Sequence, residues 1–312
     1  DLAISKFSPS ITIKNSLLFS FKLSIGKVAF AGKNLYTNEA IISFLPSSEY
    51  DLKFYYYSLG FMLEQNANEN IYGAKILNQE LIRNSKLLSP PLAEQKAIAN
   101  YLDCKTQSID DLIENKQKLI ELLKEEIATI INQAVTKGLN SKVKLKSSGI
   151  EWLGEIPEHW EIKKLKYQAH LKSGENIVSE QISPEAEYPV YGGNGLRGYF
   201  NKYTHDGDYV LIGRQGALCG NINYAEKKFW ASEHAIVCTL LADSNIIWFG
   251  ELLRVMNLNQ YSQSAAQPGI SVEKIQNLSI PIPPLVEQNL IGKSIKSENN
   301  RILILIDKFE KE

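Results

Sequence analysis

A chain of 312 residues, 44% hydrophobic and 22% charged, has an ordinary globular composition with room for two domains, each with its own core, so disorder is not the default. A formal net charge of −1 excludes a whole-chain positive field for nucleic acid, although a local basic face fits inside a neutral total. No run of about 18 apolar residues is present, and the start lacks a secretory pattern. The cysteines Cys104, Cys219 and Cys238 lack metal-ligand spacing and read as free thiols of a reducing cytoplasm.

The opening segment, residues 1–89, mixes strand-like runs such as Ile11-Thr12-Ile13 and Ala40-Ile41-Ile42-Ser43-Phe44 with a tyrosine-rich helical stretch over 51–64, as part of an α+β unit. Pro90-Pro91-Leu92-Ala93-Glu94-Gln95 then opens a helical pattern with no further Gly or Pro until Gly138, placing a long helix within residues 90–140. At 1.5 Å per residue it makes a rod of roughly 70 Å. Its apolar residues alternate four and three apart, with Leu102, Ile109, Leu123 and Ile130 in one series and Ile113, Ile120, Ile127 and Ala134 in the other. That is a heptad seam seeking a partner, interrupted by Thr106 and Lys116. Residues 141–150 read as a solvated linker. A second domain over 151–282 carries the glycine-rich turns Tyr191-Gly192-Gly193-Asn194-Gly195 and Gly213-Arg214-Gln215-Gly216 between strands such as Tyr209-Val210-Leu211-Ile212 and Ala235-Ile236-Val237-Cys238. A second helical segment, 283–312, closes the chain.

That last segment repeats what came before. Pro283-Pro284-Leu285-Val286-Glu287-Gln288 matches Pro90 to Gln95, and seam residues Ile295, Ile302 and Ile306 match Leu102, Ile109 and Ile113 at the same offset. Upstream, Gly26 sits against Gly220 and Ala40-Ile41-Ile42 against Ala235-Ile236-Val237. The chain is a tandem duplication of one α+β domain followed by one long helix. In this alignment the first copy has no counterpart of residues 151–194 and the second helix is the shorter, which leads us to expect truncation at both ends.

No phosphate-binding Gly-x-x-x-x-Gly-Lys-Ser/Thr, dinucleotide Gly-x-Gly-x-x-Gly or His-Glu-x-x-His pattern occurs. The glycine-rich turns could cradle phosphates, but such turns in a β domain are usually only turns. Glu233-His234 has no nucleophile or metal-ligand set beside it, so a structural histidine is the plainer reading. Tyrosines at 188, 191, 199, 203 and 209 read as strand packing before base stacking.

With the duplication in view, the pattern resembles the specificity subunit of type I restriction–modification systems. Leu153-Gly154-Glu155-Ile156-Pro157-Glu158-His159-Trp160-Glu161 is similar to the opening of that family's target-recognition domains. Tyr188 to Gly195, Leu211 to Ala217 and Phe229 to Val237 resemble their interior, and the twice-seen Pro-Pro-Leu-x-Glu-Gln resembles the start of the family's conserved helices. The resemblance implies an α+β fold with tandem target-recognition domains, each followed by a long helix, the two helices pairing as an antiparallel coiled coil. It implies a non-catalytic subunit that reads a bipartite double-stranded DNA target. Two modification (methyltransferase) subunits and the restriction (translocase/endonuclease) subunits would assemble on it. S-adenosylmethionine, ATP and Mg would reside on those partners, none in this chain, and the setting would be cytoplasmic, with no membrane. Asn194, Arg197, Arg214 and Gln215 are the candidates for base contacts, because Arg matches guanine and Gln or Asn matches adenine. Lys202, Lys227 and Lys228 are the candidates for phosphates. Leu102, Ile109, Ile113, Ile120, Leu123, Ile127, Ile295, Ile302 and Ile306 would bury the pairing seam, so that an Asp at Ile113 should cost several kcal/mol. Two other classes fit less well: the recognition part of a fused restriction–methyltransferase enzyme, and a coiled-coil scaffold that binds no DNA.

Overall fold

A computed structural model describes residues 11–22, 24–69, 71, 73, 75–241, 243–262 and 268–311. Residues 1–10, read above for a secretory start, lie outside them. The chain divides into two compact units, Asp1–Asn115 and Lys116–Glu312, with the boundary inside one long helix.

In the first unit, β1 (Leu17–Ser20), β2 (Val28–Phe30) and β3 (Ile41–Phe44) form an antiparallel sheet in the order β2-β1-β3. Helix α1 (Leu52–Glu64) packs on it, burying Leu59 and Leu63 against Leu17 and Phe19. Its N-cap, Asp51, accepts from the backbone N–H groups of Lys53 and Phe54, satisfying donors that a helix start leaves free. The short hairpin β4 (Asn68–Glu69) and β5 (Lys75–Ile76) leads to α2 (Gln79–Asn84). Helix α3 (Leu92–Lys137) follows, 46 residues without a break.

After α3, β6 (Leu145–Ser147) pairs antiparallel with β7 (Glu155–Pro157). The expected linker at 141–150 is therefore partly a strand, because Lys144 to Ser147 find backbone partners in the segment that follows. Next come β8 (Glu161–Lys164), β9 (Ala169–Ser173), β10 (Tyr188–Gly192), β11 (Gly195–Phe200), β12 (His205–Asp206), β13 (Tyr209–Gly213), β14 (Ile222–Ala225), β15 (Lys228–Ala231) and β16 (Ala235–Leu240). Helices α4 (Ile246–Val255) and α5 (Val272–Gln276), strand β17 (Ser279–Ile282) and helix α6 (Leu285–Lys311) complete the chain. Strands β14-β13-β16-β9 make an antiparallel sheet, β11-β10-β15-β12 a mixed one in which β10 and β15 run parallel, and β17 pairs with β8.

The antiparallel sheet is covered on both faces. Val210, Ile212, Ile236 and Cys238 point into the main core with Trp248, Phe249 and Leu252 of α4. The alternate residues Leu211 and Val237 pack with Phe229 and Ala231 of the mixed sheet. A strand buried on both sides needs apolar residues at every position, which is why Val210-Leu211-Ile212 shows no polar alternation.

The duplication is visible in the architecture. Strands β14-β13-β16 repeat the order β2-β1-β3, α4 repeats α1, and α6 repeats the start of α3. Gly26 and Gly220 take the same left-handed conformation, with φ of 88° and 86°.

Within the second unit, α3 and α6 pair antiparallel. Ala134 and Val135 share a core with Ile291 and Ile295, whereas Leu123, twelve residues earlier, packs with Ile302 and Ile306, with Ile120 and Ile127 alongside. Arg301 of α6 reaches Glu126 of α3 at 3.2 Å. The seam expected over the whole of α3 is covered only in part. Leu102 is half-buried, but Ile109 and Ile113 are 56% and 49% exposed. The core of the pairing is therefore Leu123 and not Ile113. Leu123→Asp should lower stability by ~2–4 kcal/mol through a buried unpaired charge. Ile113→Asp, at a half-exposed position, should cost under ~1 kcal/mol. Thermal melts of the two variants check this, and equal shifts would refute the partial seam.

Candidate nucleic-acid interface

The glycine-rich turns of the second unit lie together. The hairpin between β10 and β11 turns through Gly193 and Asn194, and it sits on the segment that leaves β13. A Cβ on Gly193 would lie 2.7 Å from the carbonyl oxygen of Gln215, and one on Gly213 would collide with the carbonyl of Gly193. These two glycines are required because two backbones touch, and neither is free to approach a duplex. Gly216 differs: its φ of +94° needs glycine, and open space surrounds it.

Where the turns meet, a cleft of about 410 Å³ opens to solvent, lined by Gly193, Asn194, Gly195, Leu196, Arg197, Gln215, Gly216 and His234. Asn194 is exposed at the hairpin tip, and its side-chain oxygen accepts from Asn221 Nδ2 at 3.3 Å. Arg197, on β11, lays its aliphatic stem across Gly192 while remaining exposed. Gln215 is held by an isolated bridge to Gly269. His234 joins from the turn after β15. Its Nε2 lies 3.0 Å from Glu233 Oε1. Among the described residues, His234 Nδ1, Glu233 Oε2 and Asn223 Nδ2 are buried without a hydrogen-bond partner. Such groups cost about 1–3 kcal/mol each when left unpaired.

Three of the four expected base-contacting residues, Asn194, Arg197 and Gln215, thus converge, and Arg214 does not. Its backbone N–H donates to the His234 carbonyl at 2.8 Å and its carbonyl accepts from Ile270 N–H at 2.9 Å, in an extended segment where its neighbour Gln215 lines the cleft. Arg214 is absent from the lining of the cleft, and what ties it in place is its backbone. The lysines assigned to phosphates lie at the other end of the strands. Lys228 starts β15, whereas His234 follows its end. Lys227 follows β14, whose last residue pairs with Tyr209 at the start of β13. Lys202 follows β11, whose last residue pairs with the first of β10. A five-residue strand separates the two ends by roughly 15 Å. Lys228 is engaged with the Tyr203 ring, its Nζ 4.7 Å from the centroid.

In the sequence His234 reads as a structural histidine, because Glu233-His234 has no nucleophile or metal-ligand set beside it. The usable signal was its position, directly after a strand parallel to β10 and therefore ending at the same edge as the glycine-rich hairpin. Among the tyrosines, Tyr191 and Tyr209 meet Phe229 edge-on, and Tyr188 meets the exposed Tyr203. Among the described residues no His, Cys, Asp or Glu cluster could hold a metal ion, and no helix is long and apolar enough to cross a membrane.

A family profile described as the type I restriction modification DNA specificity domain matches residues 3–124 and again 157–308. The chain belongs to this family. Among curated relatives, the EcoprrI type I restriction enzyme specificity subunit of Escherichia coli is 44% identical over 132 residues, 42% of this chain and 32% of that protein. The putative MjaX type I restriction enzyme specificity subunit of Methanocaldococcus jannaschii is 29% identical over 252 residues, 76% of this chain and 57% of that protein. The chain therefore spans less than two thirds of the length of these relatives. The fold is that of a solved chain described under complex assembly and conformational transition of the type I restriction–modification system, with a TM-score of 0.71 at 15% identity over 97% of this chain and 78% of that one. It is also that of the specificity subunit of Thermoanaerobacter tengcongensis, with a TM-score of 0.60 at 14% identity over 95% of this chain and 75% of that one.

At the end of the strands away from the cleft, His205 stacks on Phe229 with centroids 5.2 Å apart, and its Nδ1 lies 2.7 Å from Thr204 Oγ1. Burial pushes its pKa below the ordinary 6.5, outweighing the attraction of Glu175. A histidine depressed in the folded state contributes stability that is present above its unfolded pKa and lost as pH falls through the folded value. The second unit should therefore weaken as pH drops below about 6.5. His205→Phe should flatten that part of the melting-temperature profile, and an unchanged slope between pH 7 and 5 would count against it.

Proposed function

We propose that this chain is the DNA-recognition component of a type I restriction–modification complex, each unit reading one half of a bipartite duplex target. The observation that carries the reading is the convergence of Asn194, Arg197, Gln215 and His234 on one exposed cleft in a fold that the family uses for DNA specificity. Arg197 offers a bidentate donor pair suited to guanine, and Gln215 and Asn194 each pair a donor with an acceptor, as an adenine edge requires. Lys202 and Lys227, at the far end of the strands, serve neighbouring phosphates and so fix register without reading sequence. Arg214 contributes through its backbone, by holding the Gln215 turn in place.

In this reading the long helices carry two modification subunits, and restriction subunits join that assembly. The support is that the relatives are specificity subunits of type I restriction enzymes, together with the assembly described for the solved complex. S-adenosylmethionine, ATP and Mg are bound by those partners, in the cytoplasm, and this chain only selects the site. The chain alone should neither hydrolyse ATP nor transfer methyl groups. Turnover above background in a preparation free of other subunits would overturn that assignment.

In a complex with the modification subunits, Arg197→Ala should lose ~1–3 kcal/mol on the second unit's half-site and relax the base preference there, with the other half-site unaffected. Arg214→Ala should change base preference little. Competition binding with half-site libraries distinguishes the two. An even loss across all sequences, with a shallower salt dependence, would place Arg197 on phosphate instead.

A further inference from the structure

The glutamine of the repeated Pro-Pro-Leu-x-Glu-Gln motif has no role in the seam or in the cleft, yet both copies are buried. Gln95 is 1% exposed and Gln288 3%, in a residue type that usually stays at the surface. Each uses its amide in the same way. Oε1 of Gln95 accepts from the backbone N–H of Asp51 at 2.9 Å, and its Nε2 donates to the Pro90 carbonyl at 2.8 Å. Oε1 of Gln288 accepts from the backbone N–H of Asn245 at 3.1 Å and from Ser244 Oγ at 2.7 Å, and its Nε2 donates to the Pro283 carbonyl at 2.9 Å. Asp51 and Asn245 are the N-caps of α1 and α4. In both copies one amide therefore ties the start of the domain helix to the proline turn that launches the long helix. One turn further on, the long helix carries a small residue in each copy, Ala99 at 1% exposure and Gly292, whose missing side chain makes room for Asn245. Other ties differ between the copies. Asp103 binds Lys53 and Tyr57 in the first unit, while the matching positions of the second are Lys296, Ile247 and Glu251. The glutamine clamp is what both copies keep.

We propose that Gln95 and Gln288 are positioning residues that fix the angle at which each long helix leaves its recognition unit, and so set the number of base pairs allowed between the two half-sites. The proposal rests on the DNA-recognition reading above. The lever arm makes the effect large. Over the 46 residues of α3, roughly 70 Å, angular play of about 3° moves the far end by about 3.5 Å, one base-pair step along a duplex, and over the 27 residues of α6, roughly 40 Å, about 5° does the same. Hydrogen bonds that are directional and shielded from water restrict such play more tightly than apolar packing, which lets neighbours slide.

The test uses the full chain assembled with its modification subunits to methylate unmethylated genomic DNA, with the modified positions mapped by sequencing. The variants Gln95→Met and Gln288→Met keep the volume and remove the amide's hydrogen bonds, and Gln288→Glu keeps the acceptor facing Asn245. The wild-type chain should mark a two-part motif with one spacer length. Either Met variant should mark the same half-site bases at that spacing and at one base pair more or less, with the preference for the correct spacing reduced roughly tenfold, the effect of about one net buried hydrogen bond. Gln288→Glu should recover part of it. A lower melting temperature with the spacer still single in both Met variants would overturn the proposal and leave the glutamines as stability elements, and so would a change in the half-site bases. If the wild-type complex marks no two-part motif, the DNA-recognition reading itself fails, an outcome separate from either.

Discussion

The second unit depends on a single constraint, the burial of one antiparallel sheet on both faces. With α4 on one side and the mixed sheet on the other, β13 and β16 have no solvated face, so variation in side chains along them is restricted to what the two cores accept. What is left for recognition is the strand ends. Both sheets deliver their turns to one edge because β10 and β15 run parallel, bringing the Gly193-Asn194 hairpin and His234 beside the segment that leaves β13. A rigid scaffold with polar loops at one edge is the general arrangement by which a fold presents function on its connections.

Much of this was legible in the sequence. The duplication, the continuous long helix and the strands with apolar residues at every position depend on local pattern, and pattern survives folding. Helix α3 runs over 92–137 because nothing between Pro91 and Gly138 interrupts it. The extent of the seam was not legible in the same way. Ile109 and Ile113 satisfy the heptad as well as Leu123 does, but burial depends on where a partner helix runs, which periodicity does not encode. The cleft was legible only in part. Asn194, Arg197 and Gln215 stand out by residue type, whereas the exclusion of Arg214 and the entry of His234 follow from strand direction and from a backbone bridge to Gly269. The glycines of the two turns carried a misleading signal. Gly193 and Gly213, in turns that could cradle phosphates, proved to be an accommodation of one turn to the other.

Neighbouring residues of the repeated motif meet different partners. Glu287 accepts from Trp160 Nε1 at 3.0 Å and meets His159 Nε2 at 2.8 Å, anchoring the opening segment of the second unit. The corresponding Glu94 is exposed. The adjacent glutamines, by contrast, are buried and bonded alike in both copies. Two neighbouring residues of one motif therefore answer to different neighbours.

The cysteines are distributed unevenly between surface and core. Cys104 is exposed on α3, whereas Cys219 and Cys238 are 1% and 2% exposed inside the main core of the second unit. Burial also pushes the Cys238 thiol pKa far above its ordinary value, suppressing the thiolate that alkylating reagents attack. A maleimide dye thus meets one reactive thiol on the intact molecule and three on the denatured chain. The number of labels taken up, read by mass, counts folded second units without any engineered reporter, and the single native label falls on the long helix.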